Sequence, residues 1–116
     1  MERWTIEFYQ SPTRNPLVYD WFFQQEAKVK ARFAHIFDLL QEKGTSVGMP
    51  YVRPITSTKL YEIRVEQDKN IYRILYFAYT GKRFILLHGF QKKTRKTPKQ
   101  EIDLAEKRRK EFIKQK

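Results

Sequence analysis

The sequence contains no cysteine and only two histidines, His35 and His88. Without cysteine the chain can form neither a disulfide framework nor a thiolate nucleophile. The histidines do not suffice for a zinc cluster, and the acidic residues Glu62, Glu66 and Asp68 lack the spacing of a metal-binding loop. We therefore expect no metal site. His35 lies at the margin of a helical apolar stripe, and we interpret it as structural or exposed.

Nucleotide-binding motifs and long apolar runs are also absent. Neither a G-x-x-x-x-G-K-[ST] loop nor a G-x-G-x-x-G turn occurs, so nucleotide hydrolysis and dinucleotide binding have no support and no cofactor is expected. The longest apolar run, Ile74–Tyr79, is far shorter than the roughly 20 residues that cross a membrane. The first residues lack the basic and then apolar pattern of a secretory signal. These absences predict a soluble, cytoplasmic protein.

Positive charge is what the sequence has in excess. Its 116 residues include 24 Lys and Arg against 13 Asp and Glu, a formal net charge of +11. Residues 82–116 alone carry 13 basic and four acidic side chains. Such an excess destabilises a compact chain by self-repulsion, which favours a polyanionic partner; the alternative is a solvated tail. The length is typical of one domain, and we expect residues 1–116 to form it.

Hydrophobic periodicity predicts a strand and two helices in the first half of the chain. Apolar and polar side chains alternate over residues 4–8, as in a half-buried strand. Asn15 resembles an N-cap followed by proline at the first helical position, so we expect a helix over Pro16–Glu26. Gly44 is expected to end a second helix in the left-handed conformation. The apolar stripe of that second helix consists of Val29, Phe33, Ile36, Phe37 and Leu40.

The second half predicts an antiparallel meander followed by a helix. Leu60–Val65, Ile71–Tyr79 and Arg83–Gln91 are rich in Ile, Leu, Tyr and Phe and are separated by hairpin-like breaks. Because it contains Pro54, the segment Tyr51–Ile55 is expected to be an edge strand or an extended loop. A last helix is expected over Pro98–Lys114.

A capping box is predicted at the start of that helix, because Thr97 and Gln100 have the required spacing. The order of elements is therefore β-α-α-β-β-β-α. We predict an α+β fold in which helices pack on one face of a twisted, mainly antiparallel sheet and the other face stays open to a partner.

Two arginines lie inside the predicted strands. Strand alternation directs Arg64 away from the face that carries its apolar neighbours. Arg73 lies in the middle of the expected central strand, where a guanidinium is costly to bury unless it meets water, a carboxylate or a bound anion. The alternative to anion binding is a salt bridge to Glu62 or Glu7.

A basic run follows the last strand. Five of the nine residues from Gln91 to Lys99 are basic, and the run ends at a helix start, where backbone N–H groups attract phosphate. If the run and the strand arginines converge, they form a cleft that could bind an RNA backbone and stack bases. Its cations would be Arg64, Arg73, Lys92, Lys93 and Lys96, with Tyr72, Tyr76 or Phe90 nearby.

RNA carries its own nucleophile, the 2′-OH, and can therefore be cut without a metal. The protein must align that hydroxyl with the phosphate, stabilise the developing charge and protonate the leaving 5′-oxygen. Arginine suits charge stabilisation, and a lysine crowded by other cations can act as base or acid.

Three stretches of the sequence resemble the phage-related HigB branch of the RelE/ParE toxin superfamily. They are Leu60–Arg64, Tyr72–Phe77 and Leu86–Lys99, and the resemblance continues over Glu101–Arg108. Residues 58–110 resemble the family closely, and the first half agrees in the order and length of its helices. The string L-H-x-F-x-K-K-T-x-K-T-P is the most specific part of the resemblance.

The resemblance implies a RelE-like toxin of a type II toxin-antitoxin system. Such a toxin enters the ribosomal A site, contacts ribosomal RNA and cleaves mRNA, and a small helix-turn-helix antitoxin of the HigA type neutralises it. The implied catalytic residues are Arg64, Arg73, Lys92 and Lys93. The implied contacts to RNA and the ribosome are Tyr76, His88, Phe90, Arg95, Lys96 and Lys99.

The general base is not identified by the resemblance. Well-known RelE proteins have a tyrosine near the last helix where this chain has Pro98 or Lys99, and some relatives use histidine and aspartate. Tyr76 and His88 are the candidates here. Two other functions stay open: a ParE-like toxin that inhibits gyrase, because it shares the fold, and a non-catalytic nucleic-acid-binding protein.

Overall fold

The structure is a computed structural model and describes residues 3–115 of the chain. Within this range the chain forms five strands, three α-helices and one short 3-10 turn. In chain order these are β1 (Thr5–Phe8), α1 (Leu17–Phe23), α2 (Ala27–Lys43), the 3-10 turn (Gly44–Ser46), β2 (Val52–Pro54), β3 (Tyr61–Gln67), β4 (Asn70–Tyr79), β5 (Arg83–Lys92) and α3 (Lys99–Lys114).

The five strands form one sheet in the order β1-β5-β4-β3-β2. Antiparallel hairpins join β3 to β4 and β4 to β5, which confirms the predicted meander, and β2 is an edge strand beside β3. β1 lies parallel to β5 at the opposite edge. A bulge between Leu75 and Tyr76 shifts the register of β4 against β5. The α+β, mainly antiparallel fold expected from the sequence is therefore present.

Helices cover both faces of the sheet, so the expectation of one open face is wrong. Helices α1 and α2 pack on the first face, where Phe8 of β1 contacts Phe22 and Phe37. Helix α3 packs on the second face, where the Phe112 ring meets the rings of Phe77 and Tyr79 edge-on. The amphipathic pattern of α3 requires a sheet face to cover, and the first face is already occupied by the other two helices.

The predicted helix caps are partly wrong. Pro98 is the N-cap of α3 and no side chain caps it, so the Thr97–Gln100 capping box does not form. Pro16 likewise takes the N-cap position of α1 in place of Asn15. Gly44 ends α2 as predicted and its N–H donates to the carbonyl of Leu40, but its φ of 60° is combined with a ψ of −136°, so it does not adopt the expected left-handed helical conformation.

No helix among residues 3–115 is long and apolar enough to cross a membrane.

Gly89 of β5 lets an aromatic ring approach the sheet closely. A Cβ atom built on Gly89 would lie 2.2 Å from Cε3 of Trp21, whereas one built on the exposed Gly48 would meet no atom within 4 Å. The missing side chain therefore creates the space in which α1 packs on β5.

Gly89→Ala is expected to lower the free energy of unfolding by about 1–3 kcal/mol, because the new methyl group displaces Trp21 from its packing. Urea denaturation followed by circular dichroism measures this change. Gly48→Ala is the matched control and should change stability by less than about 0.5 kcal/mol. Equal effects of the two substitutions would contradict the packing role of Gly89.

Candidate active site

The second sheet face carries a buried cluster of charged side chains. Glu62 and Arg64 lie two positions apart on β3 and therefore share this face. Arg64 lies opposite Arg73 of β4 in the strand register. The Glu62 and Arg73 side chains are fully buried, and that of Arg64 is 8% exposed. Two carboxylates, Glu62 and Glu7, were possible salt-bridge partners of Arg73. The structure pairs Arg73 with Glu62, whereas Glu7 pairs with Arg83.

Glu62 is the shared acceptor of this cluster. Its Oε1 accepts hydrogen bonds from Nη2 of Arg64 at 2.9 Å and from Nε at 3.2 Å. Its Oε2 accepts a hydrogen bond from the hydroxyl of Thr97 and lies 3.9 Å from Nε of Arg73. Thr97 follows the last strand, so one buried carboxylate connects two strands to the start of α3.

The two arginines bind the main chain of residues 93–98, which we call the basic segment. Nη2 of Arg64 donates to the carbonyl of Arg95 at 2.6 Å. Arg73 donates to the carbonyl of Lys96 from Nη1 at 3.1 Å, and to the carbonyl of Thr94 from Nη2. Three consecutive carbonyls thus occupy the guanidinium groups, and the segment lies across the sheet with its main chain facing the arginines.

Arg73 is placed beneath the basic segment and not at the surface. Burial lowers its pKa and the neighbouring Arg64 and Arg53 lower it further, while Glu62 opposes the change. An arginine stays protonated despite such a shift, so the group remains a cation. Its Nε has no hydrogen-bond partner among the described residues. No part of the side chain is exposed. A substitution of Arg73 would therefore first disturb the attachment of the basic segment and not a direct contact with a substrate.

A second cluster joins β5 to the first turn of α3. Nε2 of His88 lies 2.7 Å from Oε1 of Glu101, and Nζ of Lys92 lies 3.5 Å from Oε2 of the same carboxylate. His88 and Glu101 are each 13% exposed, whereas Lys92 is 41% exposed. The imidazole is stacked on the Phe90 ring with the centroids 5.1 Å apart. An imidazole, a carboxylate and an ammonium group therefore lie in contact beside the basic segment.

The protonation of this second cluster follows from its surroundings. Burial lowers the pKa of His88, and the charge of Arg108 lowers it further against the effect of Glu101. Burial alone would raise the pKa of Glu101, but the contacts with His88 and Lys92 bring it below its ordinary value. An ionised carboxylate can only accept, so a neutral His88 donates from Nε2 and keeps the lone pair on Nδ1. His88 is thereby set up as a proton acceptor.

The remaining predicted cations lie on the surface. Lys93, Arg95, Lys96 and Lys99 are exposed. Arg95 is loosely paired with Glu66 at 3.7 Å, and Lys99 with Asp103 at 2.9 Å. A shallow cavity of about 590 Å³ lies between the basic segment and α3. It is lined by Thr94, Lys96, Thr97, Pro98, Lys99 and Ile102.

Tyr76 and Phe90, which were expected to contact RNA, are buried, and so is Tyr72, the third aromatic residue of the predicted cleft. Tyr76 lies on the first sheet face, stacked on Tyr61, and burial raises its pKa far above the ordinary value. It therefore lies on the opposite side of the sheet from the basic segment. Phe90 shares the face of the candidate site but is 6% exposed and packs between His88 and Arg73. None of these rings offers a free surface for a base to stack on.

Three residues of these clusters were not identified from the sequence as site residues. Glu62 could have been found by strand alternation, because it lies two positions before Arg64 and so shares its face. Thr97 was predicted to cap a helix, so its hydrogen bond to Glu62 of β3 was not anticipated. No pattern in the sequence indicated Glu101, because its contact with His88 depends on how α3 lies on the sheet. Among the described residues, no group of three His, Asp or Glu could hold a metal ion.

Thr97→Val should release the basic segment while the sheet stays folded, because it removes one hydrogen bond to a buried carboxylate. A loss of about 1.5 kcal/mol corresponds to roughly tenfold more opening. Limited trypsin digestion measures it, since the segment contains Lys93, Arg95 and Lys96 as cleavage sites. Thr97→Ser should restore resistance. Thr94→Val is the matched control, because the Thr94 hydroxyl bonds within the segment; equal digestion of the two valine variants would contradict the anchoring role.

Comparison with models of known protein families identifies a family for this chain. Residues 20–110 match the sequence model of the family described as phage-derived Gp49-like protein (DUF891). No curated protein matches the chain. The matched range covers most of the chain and includes the second half of α1, all of β5, the basic segment and most of α3. The chain therefore belongs to the Gp49-like family of phage-derived proteins, which is a RelE/HigB-like toxin family.

Proposed function

We propose that this protein is the toxin of a type II toxin-antitoxin system and acts as a ribosome-dependent endoribonuclease. Membership of a RelE/HigB-like toxin family supports the toxin function. The single observation that carries the enzymatic part is the hydrogen-bonded pair of His88 and Glu101 with Lys92 beside it. A neutral, oriented imidazole next to cations is well suited to metal-free RNA cleavage, because it can accept the 2′-OH proton while the cations stabilise the phosphate.

In the proposed reaction, Nδ1 of His88 takes the proton of the ribose 2′-OH. The 2′-oxygen attacks the adjacent phosphorus, the bond from phosphorus to the 5′-oxygen breaks, and the products are a 2′,3′-cyclic phosphate and a free 5′-OH. Lys92 and Lys93 stabilise the negative charge that develops on the phosphate, and the Lys93 ammonium group protonates the leaving 5′-oxygen. Glu101 holds the imidazole in the reactive tautomer and stabilises it once protonated.

The buried arginines have a positioning role in this mechanism. Arg64 and Arg73 hold the main chain of the basic segment. They therefore act on a bound phosphate indirectly, by fixing the position of Lys93 and its neighbours. The exposed side chains of Arg95, Lys96 and Lys99 suit contact with ribosomal RNA, because surface cations bind phosphates without reading sequence. A helix-turn-helix antitoxin of the HigA type is the proposed neutralising partner, and mRNA in the ribosomal A site is the proposed substrate.

His88→Ala should abolish growth inhibition and ribosome-dependent mRNA cleavage, because removing a general base costs about 10²–10⁴ in rate. Mapping of mRNA 5′ ends after induction measures the cleavage. His35→Ala is the matched control, since that histidine is exposed on α2 and should leave cleavage intact. New 5′ ends that persist in His88→Ala would contradict the assigned base. If cells that express the unmodified protein show DNA damage while their mRNA stays intact, gyrase inhibition would be favoured instead.

Lys92→Met should slow cleavage by about 10²–10³, because one charge-stabilising group is lost from the transition state. Lys107→Met removes the same charge from an exposed position on α3 and serves as the control. If the two variants cleave at the same rate, the overall positive charge of the protein matters and the position of Lys92 does not. If the unmodified protein binds RNA with strong salt dependence and never cleaves it, the protein is a non-catalytic binder.

The acid limb of the pH–rate profile should lie below the ordinary histidine pKa of about 6.5, because burial lowers the pKa of His88. Activity should rise with pH through this limb, since the neutral imidazole is the active form. Glu101→Gln removes a charge that raises the pKa of His88, so it should shift the limb to still lower pH while reducing the maximum rate. A limb that does not move in Glu101→Gln would show that it reports another group.

A further inference from the structure

Strand β5 contains one residue more than β4 directly before His88. Leu75 of β4 pairs with His88, and the next residue of β4, Tyr76, pairs with Leu86. Leu87 therefore has no partner in this register and is the extra residue of the bulge. A bulge changes the direction in which the side chains that follow it point, and bulges are common next to active sites.

The bulge moves the His88 side chain from one sheet face to the other. Phe84 and His88 are four positions apart on β5, so regular alternation would direct both side chains to the same face. The Phe84 ring contacts Tyr76 on the first face, with the ring centroids 5.4 Å apart. His88 instead contacts Glu101 of α3 on the second face. The imidazole therefore reaches the charged clusters because the bulge interrupts the alternation of β5.

Arg108 of α3 binds the bulge directly. Its Nη1 donates a hydrogen bond to the carbonyl of Leu87 at 2.9 Å. Glu101 and Arg108 are seven residues apart, which is two helical turns, so both lie on the side of α3 that meets the sheet. One face of the helix thus holds the bulge residue and, two turns away, the imidazole that follows it.

The guanidinium of Arg108 is itself held in place by Tyr9, which follows β1. It lies 5.5 Å from the centre of the Tyr9 ring, and this ring is 2% exposed. The Tyr9 hydroxyl donates to Oε2 of Glu111 on α3 at 2.6 Å, and its N–H donates to the carbonyl of Leu86 at 2.8 Å. Two successive carbonyls at the bulge, those of Leu86 and Leu87, are therefore bound by Tyr9 and Arg108.

We propose that Arg108 is a positioning residue, which holds the bulge at Leu87 and thereby keeps His88 against Glu101. A guanidinium suits this role because it can donate to a carbonyl from its edge while its flat face lies on an aromatic ring. The inference rests on the proposed function only in that His88 is the general base there. The contact between His88 and Glu101 can be measured without any cleavage assay.

The pKa of His88 reports this contact. The charges that act on the imidazole come from α3, where Glu101 raises the pKa and Arg108 lowers it. Lys92 of β5 lies beside Glu101, and Leu75, the partner of His88 on β4, carries no charge. Because the interaction of two charges weakens with distance and with exposure to water, Glu101 raises the pKa strongly only while the imidazole stays in contact with it.

The test measures the pKa of His88 by NMR titration in a double-mutant cycle of Arg108→Met and Glu101→Gln. His35→Ala assigns the signals of the two histidines. With Arg108 present, Glu101→Gln should lower the pKa of His88. With Arg108→Met, the same substitution should leave the pKa nearly unchanged, because the released imidazole no longer lies against position 101.

Arg109→Met is the matched control. Arg109 also bonds a carboxylate, that of Glu106 at 3.0 Å, and also lies over an aromatic ring, that of Phe77 at 5.9 Å, but both contacts lie away from the bulge. In this variant Glu101→Gln should still lower the pKa of His88. Arg108→Lys keeps a donor and the charge, so it should restore most of the effect of Glu101→Gln.

The proposal is overturned if Glu101→Gln lowers the pKa of His88 equally with Arg108 and with Arg108→Met. This holds even when Arg108→Met by itself raises the pKa, since that result would show an effect of charge alone. An equal loss of the effect in Arg109→Met would overturn it as well. If circular dichroism shows that Arg108→Met does not fold, Arg108→Gln replaces it in the cycle, because its side chain is too short to reach the carbonyl of Leu87.

A cleavage assay separates this inference from the proposed function. If His88 is the base, Arg108→Met should slow mRNA cleavage by about 10²-fold through misplacement of the imidazole, and Arg109→Met should not. If the titrations give the expected result in a protein that does not cleave RNA, the positioning role of Arg108 stands and the proposed function is wrong. Full cleavage by a folded Arg108→Met protein in which His88→Ala abolishes cleavage would overturn the positioning role.

Discussion

The buried carboxylate of Glu62 is the interaction on which the candidate site depends. Two guanidinium groups face each other across β3 and β4, and one of them is fully buried. Without a counter-charge, two cations so close in a poorly solvated environment would repel each other strongly. Glu62 supplies that charge between them and uses its second oxygen for Thr97. The burial of the arginines and the position of the basic segment therefore have one common cause.

This arrangement fixes both ends of the segment that carries the exposed cations. Main-chain carbonyls of Thr94, Arg95 and Lys96 are held by the sheet arginines. The start of α3 is held where Glu101 meets His88. Because the main chain faces inward, the lysine side chains of the segment face solvent. A main chain held by hydrogen bonds, with its cations directed outward, suits a phosphate-binding surface, since less conformational entropy is lost when a ligand binds.

The two faces of the sheet have different roles, one in core packing and one in carrying the charged clusters. The first face packs α1 and α2 and holds the Tyr76–Tyr61 pair in the core. The second face carries the charged clusters and α3.

The sequence by itself determined the strands, the helices, the meander and the concentration of charge after β5, because periodicity and turn residues act over a few neighbouring positions. It also directed Arg64 away from the face of its apolar neighbours, since alternation is a local property, whereas the position of Arg73 opposite Arg64 was decided by the register of β3 against β4. The parallel pairing of β1, the position of α3 on the second face and the contact of Glu101 with His88 were decided by the tertiary structure. These contacts join residues far apart in the chain, and which of several apolar faces a helix covers depends on what the other helices already occupy. For the same reason Tyr76 was expected at the surface but lies in the core: its place depends on which sheet face packs α1 and α2.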